Sequence, residues 1–258
     1  MPEGTHRILD SRSLSTGHRR LAELLRAGQA VLDVGCGTGA ITRDIAAAVA
    51  PGGCVVGLDS NAALLEDARR RHGHLPGLFF TRASVHRLPF RAAFDLVNAS
   101  RVLQWLADPR DALRAMMAAT RPGGRVVALD YNHGKIAWEP APPPSMQVFY
   151  AAFLRWRATA GMDNAIADHL AALCAEVGLA DIVVTSQMEA TRRDDPDFAV
   201  HMGLWAEVAA TRGFQMVADG AITEPQRRAA ETEWRAWLEK DALSQRLYLL
   251  SVEGTKPH

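Results

Sequence analysis

Short apolar runs alternate with amphipathic segments through the first half of the chain. The runs near 30–34, 54–58, 78–81, 94–99 and 125–130 have the length and β-branched content of buried strands. Between them, residues 40–49 and 62–71 carry apolar side chains at helical spacing. Strand and helix signals in alternation predict an α/β fold with a parallel, doubly wound sheet. Upstream, the spacing of Leu14, Leu21, Leu24 and Leu25 predicts one helical face, with Ser11, Arg12, His18, Arg19 and Arg20 around it.

After Asp130 the pattern changes. Residues 131–144 read as a Pro-rich loop containing His133, Lys135, Trp138 and Glu139. An aromatic helix follows over 145–160, with Phe149, Tyr150, Phe153 and Trp156, and a further helix over 165–177 ends at Gly178. Residues 182–188 read as a strand, 196–240 as mostly helical, and 247–252 as a last strand. The helical stretch is longer than a turn between two strands requires. Together, residues 143–160 and 196–240 are expected to form an aromatic cap over the carboxyl ends of the strands, where ligands of open α/β sheets bind.

One local run decides the chemistry. Val31-Leu32-Asp33-Val34-Gly35-Cys36-Gly37-Thr38-Gly39 is a strand, an acidic residue and a glycine-rich turn, with a helix next. Such a turn lets a ligand lie against bare backbone. A dinucleotide site would show G-x-G-x-x-G and set a pyrophosphate on the helix N-terminus. Here the glycines alternate and Asp33 precedes them, which would repel a pyrophosphate and suit a ligand with an ammonium group. S-adenosylmethionine has an ammonium, a sulfonium and no phosphate.

At these residues the chain resembles the class I S-adenosylmethionine-dependent methyltransferases. Asp33–Gly39 matches their first motif, and Asp59 their acidic residue at the end of the second strand. Ser84-Val85-His86-Arg87-Leu88-Pro89-Phe90 resembles the third motif, with Ser84 where the family usually has Asp. Phe94-Asp95-Leu96-Val97 resembles the fourth strand, and Arg121-Pro122-Gly123-Gly124 the turn before the fifth. The resemblance covers residues 30–130. It implies a Rossmann-like core over 29–130 and a seven-stranded, mostly parallel sheet whose last strand is antiparallel, with the helical cap inserted in 131–258. Residues 1–28 would be a lid over the cofactor or a surface helix packed on the sheet. It also implies S-adenosylmethionine as cofactor, with S-adenosylhomocysteine as product. The implied cofactor contacts are Asp33, Gly35, Cys36, Gly37, Gly39, Asp59, Ser60, Ser84, Val85 and Ser100, with Asp59 gripping both ribose hydroxyls.

Composition narrows the partners. The chain has 258 residues, 48% of them hydrophobic, with 29 basic and 29 acidic side chains and no net charge. No field draws it to nucleic acid or to a membrane surface. The basic run Arg69-Arg70-Arg71-His72 reads as a helix C-terminus favoured by the macrodipole. Cys36, Cys54 and Cys174 lack metal spacing and point to a reduced, cytoplasmic setting. No signal core or apolar span is evident, and no metal is expected. A monomer or homodimer acting on a small-molecule acceptor is the expectation.

Methyl transfer needs alignment more than a dedicated nucleophile. His133 is the first candidate for a general base, against a loop histidine that orders its neighbours. Arg101, Gln104, Tyr131, Asn132, Trp138, Tyr150 and Trp205 are candidate acceptor contacts. His169 reads as a core or boundary histidine. Besides methyl transfer, the same cofactor loop would serve a non-methylating enzyme such as a cyclase, or a non-catalytic regulatory binder.

Overall fold

A computed structural model of the chain describes residues 12–258. Ser11 and the rest of 1–11, part of the expected lid region, lie outside the described residues. In chain order the elements are α1 (Leu14–Gly17), α2 (Arg19–Leu24), β1 (Ala30–Val34), α3 (Ala40–Val49), β2 (Cys54–Asp59), α4 (Ala62–His72), β3 (Leu78–Arg82), β4 (Phe94–Ser100), α5 (Pro109–Ala119) and β5 (Thr120–Tyr131). There follow β6 (Ala137–Glu139), α6 (Pro144–Thr159), α7 (Ile166–Glu176), β7 (Ala180–Ser186), β8 (Glu189–Arg192), α8 (Phe198–Met202), α9 (Leu204–Ala218), α10 (Glu224–Lys240), β9 (Ser244–Leu247) and β10 (Leu249–Thr255). These elements divide into two compact units.

The first unit comprises 12–131, 165–187 and 249–258. Its seven-stranded sheet has the order β3-β2-β1-β4-β5-β10-β7, parallel except for β10, which runs antiparallel to β5 and to β7. The expected seven strands and antiparallel last strand are therefore present. Alternation along the strands sends side chains to two helical layers. Leu32, Val97, Val126 and Val252 pack with α5 and α7, through Leu113, Met116, Ile166 and Leu170. Their chain neighbours Val31, Leu96 and Val127 face the other way, onto Ile45 and Val49 of α3 and onto Leu14, Leu21 and Leu25. The segment 14–25 is thus packed on the sheet through its leucines. His18 splits it into two short helices by serving as the cap between them. β5 is longer than the apolar run: it takes in Arg121-Pro122-Gly123-Gly124, expected as a turn, and its register with β4 slips between Phe94 and Leu96. His169 is exposed on α7, which corrects its reading as a core or boundary residue.

The second unit comprises the described residues 132–164 and 188–248. It holds α6, α8, α9 and α10, and a three-stranded antiparallel sheet of order β6-β9-β8. The sequence pattern gave no sign of this sheet. Its strands are three or four residues long, and Ala137-Trp138-Glu139 lies in the segment expected to be loop. At the centre of the unit Trp138, Tyr150, Phe153, Trp205 and Trp234 meet mostly edge to face, with centroids 4.8–6.3 Å apart. Such pairs add about 0.5–1.5 kcal/mol each beyond area burial. Among the described residues no helix is long and apolar enough to cross a membrane.

Candidate functional site

Two rows of the sheet register bring polar groups together at the carboxyl ends of the strands. Asp33 of β1 lies opposite Gly57 of β2 and Asn98 of β4. Asp33 is 4% exposed. One of its oxygens accepts from Asn98 Nδ2 at 2.7 Å, and the other from Thr42 Oγ1, in the first turn of α3, at 2.7 Å. Burial pushes its carboxyl up to about 6, with those two hydrogen bonds opposing the shift and the nearby Asp59 charge adding to it. Asp33 therefore ties β1, β4 and α3 together beneath the glycine turn. Asn98 and Thr42 are the functional neighbours that motif reading missed. The available signal was an Asn inside the apolar run Leu96-Val97-Asn98-Ala99.

Above this tie the turn takes a left-handed path: φ is +71° at Gly35, +56° at Gly37 and +78° at Gly39. A side chain at Gly35 would also strike Val102. Gly37 N–H donates to Asp59 Oδ2 at 3.0 Å, and Asn61 N–H donates to Asp59 Oδ1 at 2.8 Å. The half-buried Asp59 carboxylate at the end of β2 is thereby fixed against the turn. Cys36 Sγ packs towards Gly57. Its thiol is pushed up by burial first and then by the Asp33 and Asp59 charges, so it stays neutral. Ser60 is exposed, and its carbonyl accepts from Arg82 Nε at 3.1 Å. Ser84 is exposed and caps a 3-10 turn that begins with the buried Val85. Ser100 Oγ lies 3.4 Å from Asn98 Nδ2.

Beyond β4, Arg101 is buried and held at φ +60°. Its Nε donates to Tyr131 Oη at 2.8 Å, and its carbonyl accepts from Gln104 Nε2 at 3.3 Å. Gln104 N–H donates in turn to the buried Asp130 carboxylate at 3.1 Å. Arg101, Gln104 and Tyr131 thus form one cluster with Asp130.

The remaining candidates belong to the second unit. Asn132 caps the turn at 133–135 by accepting from Gly134 N–H at 2.9 Å. Trp138 and Trp205 both donate their indole N–H to Gln245 Oε1, at 2.8 and 3.2 Å. Tyr150 Oη donates to the His133 carbonyl at 2.6 Å. His133 itself is 6% exposed and packs edge to face with Phe153 and Trp205. Burial, and then the Arg157 charge, lower its imidazole to about 3. An imidazole that weakly basic is a poor proton acceptor, so the geometry favours the packed-histidine reading over the general base.

Comparison with known proteins agrees with the motif reading. Residues 32–126 match the family model described as a methyltransferase domain. That stretch is a methyltransferase domain. Its sheet and glycine turn are of the class I, Rossmann-like type. The chain is similar to the ubiquinone/menaquinone biosynthesis C-methyltransferase UbiE of Hahella chejuensis, 38% identical over 112 residues, which is 42% of this chain and 45% of that protein. It spans less than half the length of the curated relatives it matches. Among solved structures, phosphoethanolamine N-methyltransferase 2 of Haemonchus contortus, in complex with phosphomonomethylethanolamine and S-adenosylhomocysteine, superposes with a TM-score of 0.59 at 17% identity. It covers 100% of this chain and 54% of its own. The [4+2]-cyclase SpnF superposes at 0.56 with 19% identity, over 96% and 85% of the two chains.

The methyltransferase domain has residues that fit S-adenosylmethionine. Thr38 Oγ1 is buried in the turn without a hydrogen-bond partner, as expected where a ligand completes the set. Asp59 uses one contact on each oxygen, and a carboxylate has about four acceptor positions. α3 begins at Gly39 with no side-chain cap and no acidic residue in its first turn.

Proposed function

We propose that this chain is an S-adenosylmethionine-dependent methyltransferase that methylates an O, N or C atom of a small, partly apolar metabolite. The observation that carries the reading is the Gly37–Asp59 hydrogen bond, which sets a carboxylate at one strand end against a left-handed glycine turn at the next. The cofactor, when bound, supplies an electrophilic methyl group on a sulfonium. Asp59 accepts the ribose hydroxyls. Gly35, Cys36, Gly37 and Gly39 offer bare or nearly bare backbone, and Ser60, Ser84, Val85 and Ser100 border the ligand. Asp33 acts from beneath, by holding the turn. Arg101, Gln104 and Tyr131 orient the acceptor. The three free cysteines fit a cytoplasmic setting, with a monomer or homodimer as the working form.

Incubation with methyl-labelled S-adenosylmethionine and a metabolite pool tests the reading. Label in a small-molecule product is the expected result. Conversion without label would mean another reaction on this fold, and binding alone a regulatory role.

A further inference from the structure

A cavity of about 600 Å³ opens at the amino ends of β1, β4 and β5, the opposite end of the sheet from the glycine turn. The length of β1 separates the two: from Ala30 to Val34 a strand rises about 13 Å, at about 3.3 Å per residue. The volume is that of a small-molecule site. Leu24, Leu96 and Pro122 give the cavity an apolar wall. Two glycines shape its side. A side chain at Gly124 would come within 2.9 Å of the Asp95 carbonyl, and one at Gly123, where φ is +74°, within 3.2 Å of the His258 ring.

Three guanidiniums line the same cavity, those of Arg26, Arg121 and Arg125. Each is held by one nitrogen. Arg26 Nη1 donates to the carbonyls of Glu23 and Leu25 at 2.6 and 2.7 Å, Arg121 Nη1 to Asp95 Oδ1 at 2.6 Å, and Arg125 Nη1 to Glu253 Oε1 at 3.1 Å. Among the described residues, Nε and Nη2 of all three have no further hydrogen-bond partner, and Arg26 makes no ion pair. The carboxylate in the lining is already engaged: the second oxygen of Asp95 accepts from Ala30 N–H at 2.7 Å. The cavity therefore presents oriented donors and positive charge beside an apolar wall.

Planar guanidinium forks match the oxygens of a phosphate group. We propose that this cavity is a binding site for a small molecule carrying a phosphate on an apolar body. The phosphate is taken by Arg26, Arg121 and Arg125, and the apolar body lies against Leu24 and Pro122. The site shares no residue with the cofactor turn and does not depend on the reaction proposed above.

Phenyl phosphate and inorganic phosphate, titrated into the native protein by calorimetry at low salt, test the site. Phenyl phosphate is expected to bind at least about fivefold more tightly, because its ring buries apolar surface. Arg26→Gln, at an exposed position, is expected to fold normally and to weaken phenyl phosphate at least about tenfold. Arg114→Gln, on α5 and outside the cavity, is expected to leave the affinity within about twofold, which controls for general charge. Backbone amide signals of residues 29–30 and 123–125 are expected to shift on binding. Equal affinity for the two probes would overturn the ligand class. No binding to the native protein, equal losses in Arg26→Gln and Arg114→Gln, or shifts confined to residues 35–39 would overturn the site.

Discussion

Three buried residues carry opposing pH effects. His18 and His133 are both held near 3 by burial, against an ordinary imidazole value of 6.5. The unfolded chain takes up protons at these sites below about pH 6.5 and the folded chain does not, so stability falls as pH drops through that window. From pH 7 to pH 5 the loss is about 2 kcal/mol per imidazole. Asp33 works the other way. Its carboxyl is raised to about 6, so its burial penalty is present above that pH and is relieved as pH falls towards the ordinary value. The two histidines outweigh it, and denaturant midpoints are expected to fall between pH 7 and pH 5. His18→Gln should flatten that slope by well over half, because the relief at Asp33 then offsets most of what His133 contributes; an unchanged slope would show that His18 titrates normally. For the ligand itself, Asp59→Ala removes hydrogen bonds to a charged group, each contributing about 1.5–3 kcal/mol. S-adenosylhomocysteine affinity is then expected to drop at least tenfold in a folded protein. Gly37→Val forces a β-branched residue to positive φ in the same turn, and complete loss of binding is expected. Asp33, Asp59 and the glycines were legible in the sequence because their motif is local. Asn98 was not, because a hydrogen bond to a residue 65 positions away leaves no spacing to read.

At the level of elements, β1, β2 and β4 were readable nearly to the residue, because they lie inside the sheet and stay mostly apolar on both faces. β6, β8 and β9 were not. Ala137-Trp138-Glu139, Glu189-Ala190-Thr191-Arg192 and Ser244-Gln245-Arg246-Leu247 carry mixed side chains and pair over long sequence separations. Their stability comes from what β9 presents: Gln245, 1% exposed, with its Oε1 taking two indole N–H groups. Replacing Gln245 by Leu would leave both indoles buried and unpaired, at about 1–3 kcal/mol each. A drop of several degrees in melting temperature is the expected outcome, with S-adenosylhomocysteine affinity unchanged. A fall in affinity of comparable size would mean that this strand also supports the cofactor.

For the whole molecule, the family match stops at residue 126, inside β5, while residues 132–164 and 188–248 form a unit with its own aromatic centre. That unit contains five of the six tryptophans of the chain. Acceptor choice is the property we propose for it. Trp205→Ala is a poor test: Trp205 is 3% exposed, and truncating a buried Trp costs about 3–5 kcal/mol on its own. Milder variants separate specificity from stability. Tyr150→Phe deletes only the hydroxyl that donates to the His133 carbonyl, and Trp138→Phe keeps an aromatic ring in place. Both are expected to change kcat/KM severalfold between acceptors of different apolar size while S-adenosylhomocysteine affinity stays within about twofold. His133→Ala is expected to lower the melting temperature and leave turnover per folded molecule without a pH-dependent rescue by more acidic acceptors, as befits a packed imidazole. If all three variants shift only the melting temperature, with every acceptor used in the native proportions, then the aromatic unit is structural and acceptor choice lies with Arg101, Gln104 and Tyr131.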